Sequence, residues 1–170
     1  TGAALTGEKN IAGKRYIFGA DGAWMLQQGW NKSAGRYFYY DNSGEQLLGW
    51  QIIDGRKYYF NPTLSGAAQV GWASFGGAKY YFNSAGEAVT GLKSIGSARY
   101  YFNSEGVMQS GWQAVDGWKY YFNPSAGGAA QAGWASFGGA KYYFNSAREA
   151  VTGLKSIGPA RYYFNSEGVM

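Results

Sequence analysis

The chain has 170 residues, of which 19% are aromatic, with 28 glycines, three prolines and a formal net charge of +5; so many rings in so few charges argue against disorder. It contains neither cysteine nor histidine, which excludes a disulfide framework, a thiolate nucleophile and the usual zinc sites. No apolar run approaches the roughly 18 residues that span a membrane, and the cations recur at equivalent positions instead of clustering, so a solvated face explains them better than nucleic acid.

In chain order, eight turn-forming pairs are each followed two residues later by a block of three large residues. Ala12-Gly13 precedes Tyr16-Ile17-Phe18, Ala34-Gly35 precedes Phe38-Tyr39-Tyr40, and Asp54-Gly55 precedes Tyr58-Tyr59-Phe60. Gly76-Gly77, Gly96-Ser97 and Asp116-Gly117 precede the blocks that begin at Tyr80, Tyr100 and Tyr120. Gly138-Gly139 and Gly158-Pro159 precede those that begin at Tyr142 and Tyr162. A turn pair between short apolar runs predicts a β-hairpin. A period of roughly 20 to 22 residues predicts stacking, in which each unit buries its apolar face on its neighbours. The units start near residues 7, 29, 49, 71, 91, 111, 133 and 153.

Above this period lies a second one. Residues 49–110 and 111–170 match nearly residue for residue at an offset of 62, which is three units. The first unit of each triplet is longer, through Asn61 to Gly66 and Asn123 to Gly128. Both ends read as cuts in a longer array. One position conflicts with its neighbours: Arg148 stands where the other triplet has the turn residue Gly86.

Register follows from the turn. With Asp54-Gly55 as the loop, Ile53 pairs with Arg56, Ile52 with Lys57, Gln51 with Tyr58, Trp50 with Tyr59 and Gly49 with Phe60. Because paired residues share a face, Ile53, Tyr58 and Phe60 form one apolar face, the predicted core. Trp50, Lys57 and Tyr59 fall on the other. That second face recurs as Trp72, Lys79 and Tyr81, as Trp112, Lys119 and Tyr121, and as Trp134, Lys141 and Tyr143, with Trp30 and Tyr39 earlier. Leu92 and Leu154 take the Trp position beside Arg99 and Arg161. Rings interleaved with a cation suit a ligand platform. Alternatively, the tryptophans stack on the next hairpin and serve structure alone.

The unit Gly-Trp-x-x-x-Asp-Gly-x-Lys-Tyr-Tyr-Phe-Asn resembles the cell-wall-binding repeats of Gram-positive surface proteins. That superfamily includes choline-binding modules, the glucan-binding repeats of glucansucrases and the C-terminal repeats of large clostridial glucosylating toxins. The resemblance covers essentially the whole chain. It implies an all-β fold, a left-handed β-solenoid with three hairpins per superhelical turn, and ligand sites in grooves between successive hairpins. It also implies a secreted or surface-attached protein.

The choline cage of that family takes the Gly-Trp tryptophan, a second Trp just before the Tyr-Tyr pair, and a ring from the next hairpin. Here the second position holds Arg15, Tyr37, Lys57, Lys79, Arg99, Lys119, Lys141 and Arg161. A cation in the wall repels a quaternary ammonium, so only the unit of Tyr37, Trp30 and Tyr39 approaches such a cage. Lys before Tyr-Tyr-Phe-Asn is closer to the toxin and glucan-binding branches, whose precedent is carbohydrate. The expected function is therefore non-catalytic binding of a glycan: a cell-wall polysaccharide, a glucan or a host-surface oligosaccharide. Choline binding and a structural spacer are the alternatives. The best sites are expected at the long junctions, around Trp50 to Trp72 and Trp112 to Trp134. Neither cofactor nor metal is expected. With ten scattered carboxylates and no histidine base, an enzyme is the weakest reading. Exposed hairpin edges offer a route to a dimer.

Overall fold

The computed structural model describes residues 5–170. Eight antiparallel hairpins follow one another: β1–β2 (Gly7–Ile11, Lys14–Phe18), β4–β5 (Gly29–Ser33, Arg36–Tyr40), β6–β7 (Gly49–Ile53, Arg56–Asn61) and β9–β10 (Gly71–Phe75, Ala78–Phe82) come first. They continue as β11–β12 (Gly91–Ile95, Ala98–Phe102), β14–β15 (Gly111–Val115, Trp118–Asn123), β17–β18 (Gly133–Phe137, Ala140–Phe144) and β19–β20 (Gly153–Ile157, Ala160–Phe164). Each hairpin is its own sheet, and four of them add a short third strand: β3 (Trp24–Leu26), β8 (Ala67–Ala68), β13 (Met108–Gln109) and β16 (Ala129–Ala130). The contacts divide the chain into two units, one of residues up to 75 with 81–88, the other of residues 76–80 with 89–170. Among the described residues no helix is long and apolar enough to cross a membrane.

The register is the one the turn dictates. Gly49 faces Phe60, Trp50 faces Tyr59, Gln51 faces Tyr58, Ile52 faces Lys57 and Ile53 faces Arg56. The same pairing recurs in the hairpins of Trp30, Trp112 and Trp134. Asp54 and Gly55 have φ of 51° and 74°, the two positive values of a type I′ turn. At Gly96-Ser97 and Gly158-Pro159 only the glycine is positive, at 61° in both. That is the II′ pattern, and it explains how Pro159 fits a hairpin loop. The glycine of each Gly-Trp pair has a structural cause too: Gly49 has φ of 70°, a conformation that would strain any residue with a Cβ.

After each hairpin the chain turns on an Asn or Asp side chain. Asn83 Oδ1 accepts from the backbone N–H groups of Ala85 and Glu87, and Asn103 Oδ1 from those of Glu105 and Val107. Such side chains stand in for a backbone turn. In the longer units the extra residues form a 3-10 turn, Pro62–Leu64 or Pro124–Ala126, capped by the side chain of Asn61 or Asn123. Arg148 adopts φ of 68°, so the missing glycine leaves strain of about 1 kcal/mol. Its guanidinium donates to the Ala130 carbonyl at 3.4 Å, a partial offset.

The third residue of the aromatic block anchors the core. Phe60 and Phe82 in the first unit, and Phe102, Phe122, Phe144 and Phe164 in the second, are fully buried. Ile53, Tyr58, Phe60 and Ala68 form one cluster, with Tyr37, Tyr39 and Leu47 packed on it; Tyr120, Phe122 and Ala130 form another, with Leu92, Tyr101 and Val115. The predicted core face is therefore core at its wide end. Towards the turns it is only half-buried at Phe75, Ile95, Val115, Phe137 and Ile157, and Ile11 is exposed.

Polar ties cross between hairpins. In the first unit Arg56 is ion-paired with Glu87, which also accepts from Asn83 Nδ2 at 2.8 Å. The hydrogen bond from Arg56, then that from Asn83, holds the Glu87 carboxyl below its ordinary range. A depressed carboxylate stabilises the fold above that range and loses the contribution as pH falls through it. The urea midpoint should therefore fall between about pH 6 and about pH 3, and Glu87→Gln should flatten part of that fall. An unchanged profile in Glu87→Gln would show that the ion pair contributes nothing.

Candidate functional site: aromatic grooves between hairpins

The second face of one hairpin is not set apart from the core. It packs against the first face of the next, so the face expected as a ligand platform is packing surface as well. The cause is the stacking itself: an apolar sheet face needs a cover, and the neighbouring hairpin supplies it. Each groove is what remains open at the rim of that contact.

Around Trp30, Tyr39 lies at 5.2 Å and Tyr37 at 6.3 Å between ring centroids, both edge-on. From the next hairpin come Tyr58 at 4.9 Å and Phe60 at 5.9 Å. Around Trp134 the frame repeats, with Tyr143 at 5.1 Å, Tyr162 at 4.9 Å and Phe164 at 5.9 Å. The two differ at the position before the Tyr-Tyr pair. Lys141 sets its ammonium over the Trp134 ring, 4.6 Å from the centroid, where the other groove has Tyr37. Tyr37 in turn lies under Lys32, at 4.8 Å.

At the two long junctions a phenylalanine closes in. Trp50 meets Tyr59 at 5.1 Å and Phe75 at 5.5 Å, with Lys57 Nζ over its ring at 4.7 Å; Phe75 lies 4.0 Å from Tyr59. Trp112 meets Tyr121 at 5.2 Å and Tyr142 at 4.9 Å, and Phe137 lies 3.8 Å from Tyr121. Lys119, expected beside Trp112, is ion-paired with Glu167 instead. Trp72 meets the edge of Tyr81 at 5.1 Å, and Lys79 is exposed on the return strand of that hairpin. Trp30, Trp72, Trp112 and Trp134 keep 36–40% of their surface exposed, so each indole is half packing and half platform.

The Lys or Arg before the Tyr-Tyr pair thus has no single partner. Lys57 and Lys141 cover indoles, Lys119 takes Glu167, Arg99 donates to the Ala147 carbonyl at 2.9 Å, and Arg15 donates to the Tyr40 hydroxyl at 3.0 Å. Leu92 packs on the cluster of Tyr120 and Phe122. Tyr58 falls on the predicted core face, and Tyr142 and Tyr162 hold the equivalent register positions. All three also wall the groove of the preceding hairpin, a role legible only once the stacking order is known. No cluster of metal-ligating side chains occurs among the described residues.

The model of the choline-binding repeat matches residues 27–68 and 89–134, together more than half of the chain. The chain belongs to the choline-binding repeat family. A model of a cell wall binding repeat matches the intervening and final segments, residues 70–88 and 152–170. No curated protein matches the sequence significantly. Among solved structures, CbpJ from Streptococcus pneumoniae is similar at 27% identity and a TM-score of 0.82, over 98% of this chain and 65% of CbpJ. Choline binding protein F of the same organism is similar at 28% identity and a TM-score of 0.77, over 97% of this chain and 57% of that one; it has also been solved in the presence of a peptidoglycan analogue, a tetrasaccharide-pentapeptide. The chain spans less than two thirds of either relative. As choline-binding repeats, five of its eight hairpins carry the Gly-Trp tryptophan of the family, while seven of the eight positions before the Tyr-Tyr pair bear no ring and hold a cation, five of them in the structural roles above.

Proposed function

We propose that this chain is a non-catalytic cell-wall-binding module of a secreted or surface-attached bacterial protein, and that its grooves hold glycan. What supports the reading is the placement of Lys57 and Lys141, whose ammonium groups lie 4.7 and 4.6 Å above Trp50 and Trp134. A cation already on the indole face competes with a quaternary ammonium for the same quadrupole. It also places hydrogen-bond donors beside a flat apolar surface, the pairing that a sugar ring uses. Weak sites repeated along one chain then add through avidity. The peptidoglycan analogue used with choline binding protein F is precedent for a glycan ligand. The hairpins are read as a left-handed β-solenoid that closes one turn every three units, the block repeated at an offset of 62 residues.

A second reading, choline as ligand, is favoured at one place. Trp30, Tyr37 and Tyr58 bring three rings together without a cation in the Tyr37 position. Titration with soluble glucans and peptidoglycan fragments, beside retention on a choline-type resin, separates the two. Glycan binding should weaken in Trp134→Ala and Trp72→Ala, and choline retention should depend on Trp30 alone. Silence towards every glycan, with choline retention that survives Trp30→Ala, would sink the assignment.

A further inference from the structure

Trp118 stands where no other hairpin has an aromatic residue. The first residue after the turn is Lys14, Arg36, Arg56, Ala78, Ala98, Ala140 or Ala160 in the remaining seven. In the matching hairpin of the other triplet, Arg56 closes on Glu87 through an ion pair. The corresponding Glu149 accepts from Asn145 Nδ2 at 2.9 Å and from the Tyr120 hydroxyl at 3.4 Å, and among the described residues it has no cation. The replacement removes that cross-hairpin tie and puts an indole, 54% exposed, at the turn end of β15.

That indole does not stand on a flat surface. It borders a cavity of about 410 Å³ lined also by Ala114, Lys119, Ala150, Thr152 and Ser166. The volume lies within the roughly 300–1,000 Å³ of small-molecule sites. The cavity is separate from the Gly-Trp grooves, for none of their tryptophans lines it. It is half apolar, from the indole and the two alanines. The other half is polar, from two hydroxyls and an ammonium whose partner Glu167 leaves further N–H donors available.

We infer that the Trp118 cavity is an additional saccharide site, taking one or two gluco-configured pyranose rings of a glycan chain. In such rings the axial hydrogens make a flat apolar face that matches an indole, while the equatorial hydroxyls point outward to Lys119, Thr152 and Ser166. A quaternary ammonium does not suit it, because one ring makes no cage. The inference rests on the glycan reading of this module and adds a site of different geometry to it.

Protein labelled with 5-fluorotryptophan tests this by fluorine NMR, with isomaltotriose and N,N′-diacetylchitobiose as probes. The Trp118 resonance, assigned by its loss in Trp118→Arg, should shift saturably with at least one of them and should still do so in Trp134→Ala. Lys119→Gln should raise the Trp118 midpoint several-fold while leaving those of Trp112 and Trp134 in place. A static Trp118 resonance while the Gly-Trp resonances move would overturn this site alone. No movement at any resonance would overturn both it and the glycan reading. Movement at Trp118 only would support this site and remove the grooves from glycan binding.

Discussion

Phe122→Ala is expected to destabilise the protein by about 3–5 kcal/mol, the ordinary cost of truncating a buried ring to a methyl group. Phe122 is completely buried, stacks on Tyr101 and Tyr120 with centroids 5.9 Å away in both cases, and sits in the cluster that Leu92 and Val115 cover. A stacked repeat has little means of collapsing around the hole, because hairpin spacing is set by the rings on either side. The loss also reaches beyond one unit, since the neighbouring hairpin then lacks a surface to lie on. Urea unfolding followed by tryptophan fluorescence measures it. Tyr163→Ala is the control: that ring is 67% exposed, and its removal should change stability by less than about 0.5 kcal/mol. A cost below about 1 kcal/mol for Phe122→Ala would mean that the core lies elsewhere.

The hairpins were legible because each level of the sequence agreed. Asp54-Gly55 set the turn, the turn set the register, and the register put Tyr58 and Phe60 on one side. Even the departures had a local signal, as with Arg148 in place of a turn glycine. The grooves were less legible, because their walls come from two hairpins. Whether Lys57 lies over Trp50 or Lys119 turns to Glu167 depends on what the neighbouring unit places within reach, and a within-hairpin register says nothing of that. Trp118 pairs with Val115, one residue before the cage position and on the opposite face of its strand, so the register alone assigns it no groove. Its cavity appears only when Ala150, Thr152 and Ser166, from two later hairpins' links and turns, are placed around it.

The grooves of Trp30 and Trp134 form a matched pair, so one substitution should move a ligand preference between them. Their inter-hairpin frames agree: 4.9 Å from Trp to the next hairpin's Tyr and 5.9 Å to its Phe in both. Lys141→Tyr should therefore create a quaternary-ammonium site at Trp134, and Tyr37→Lys should abolish the one at Trp30. Exchange of a repelling ammonium for a ring is worth about 0.5–2 kcal/mol per contact, so a change of roughly twofold to thirtyfold in choline affinity is expected. The engineered groove should be the tighter of the two. Lys32, which pairs with Tyr37 and covers its ring, has Ser136 as its counterpart opposite Lys141, so no cation would remain above the new tyrosine. Calorimetric titration with choline chloride reads both affinity and stoichiometry. One site should become two in Lys141→Tyr and none in Tyr37→Lys. If a folded Lys141→Tyr protein binds no additional choline, the lysine is not what keeps quaternary ammonium ions out of that groove.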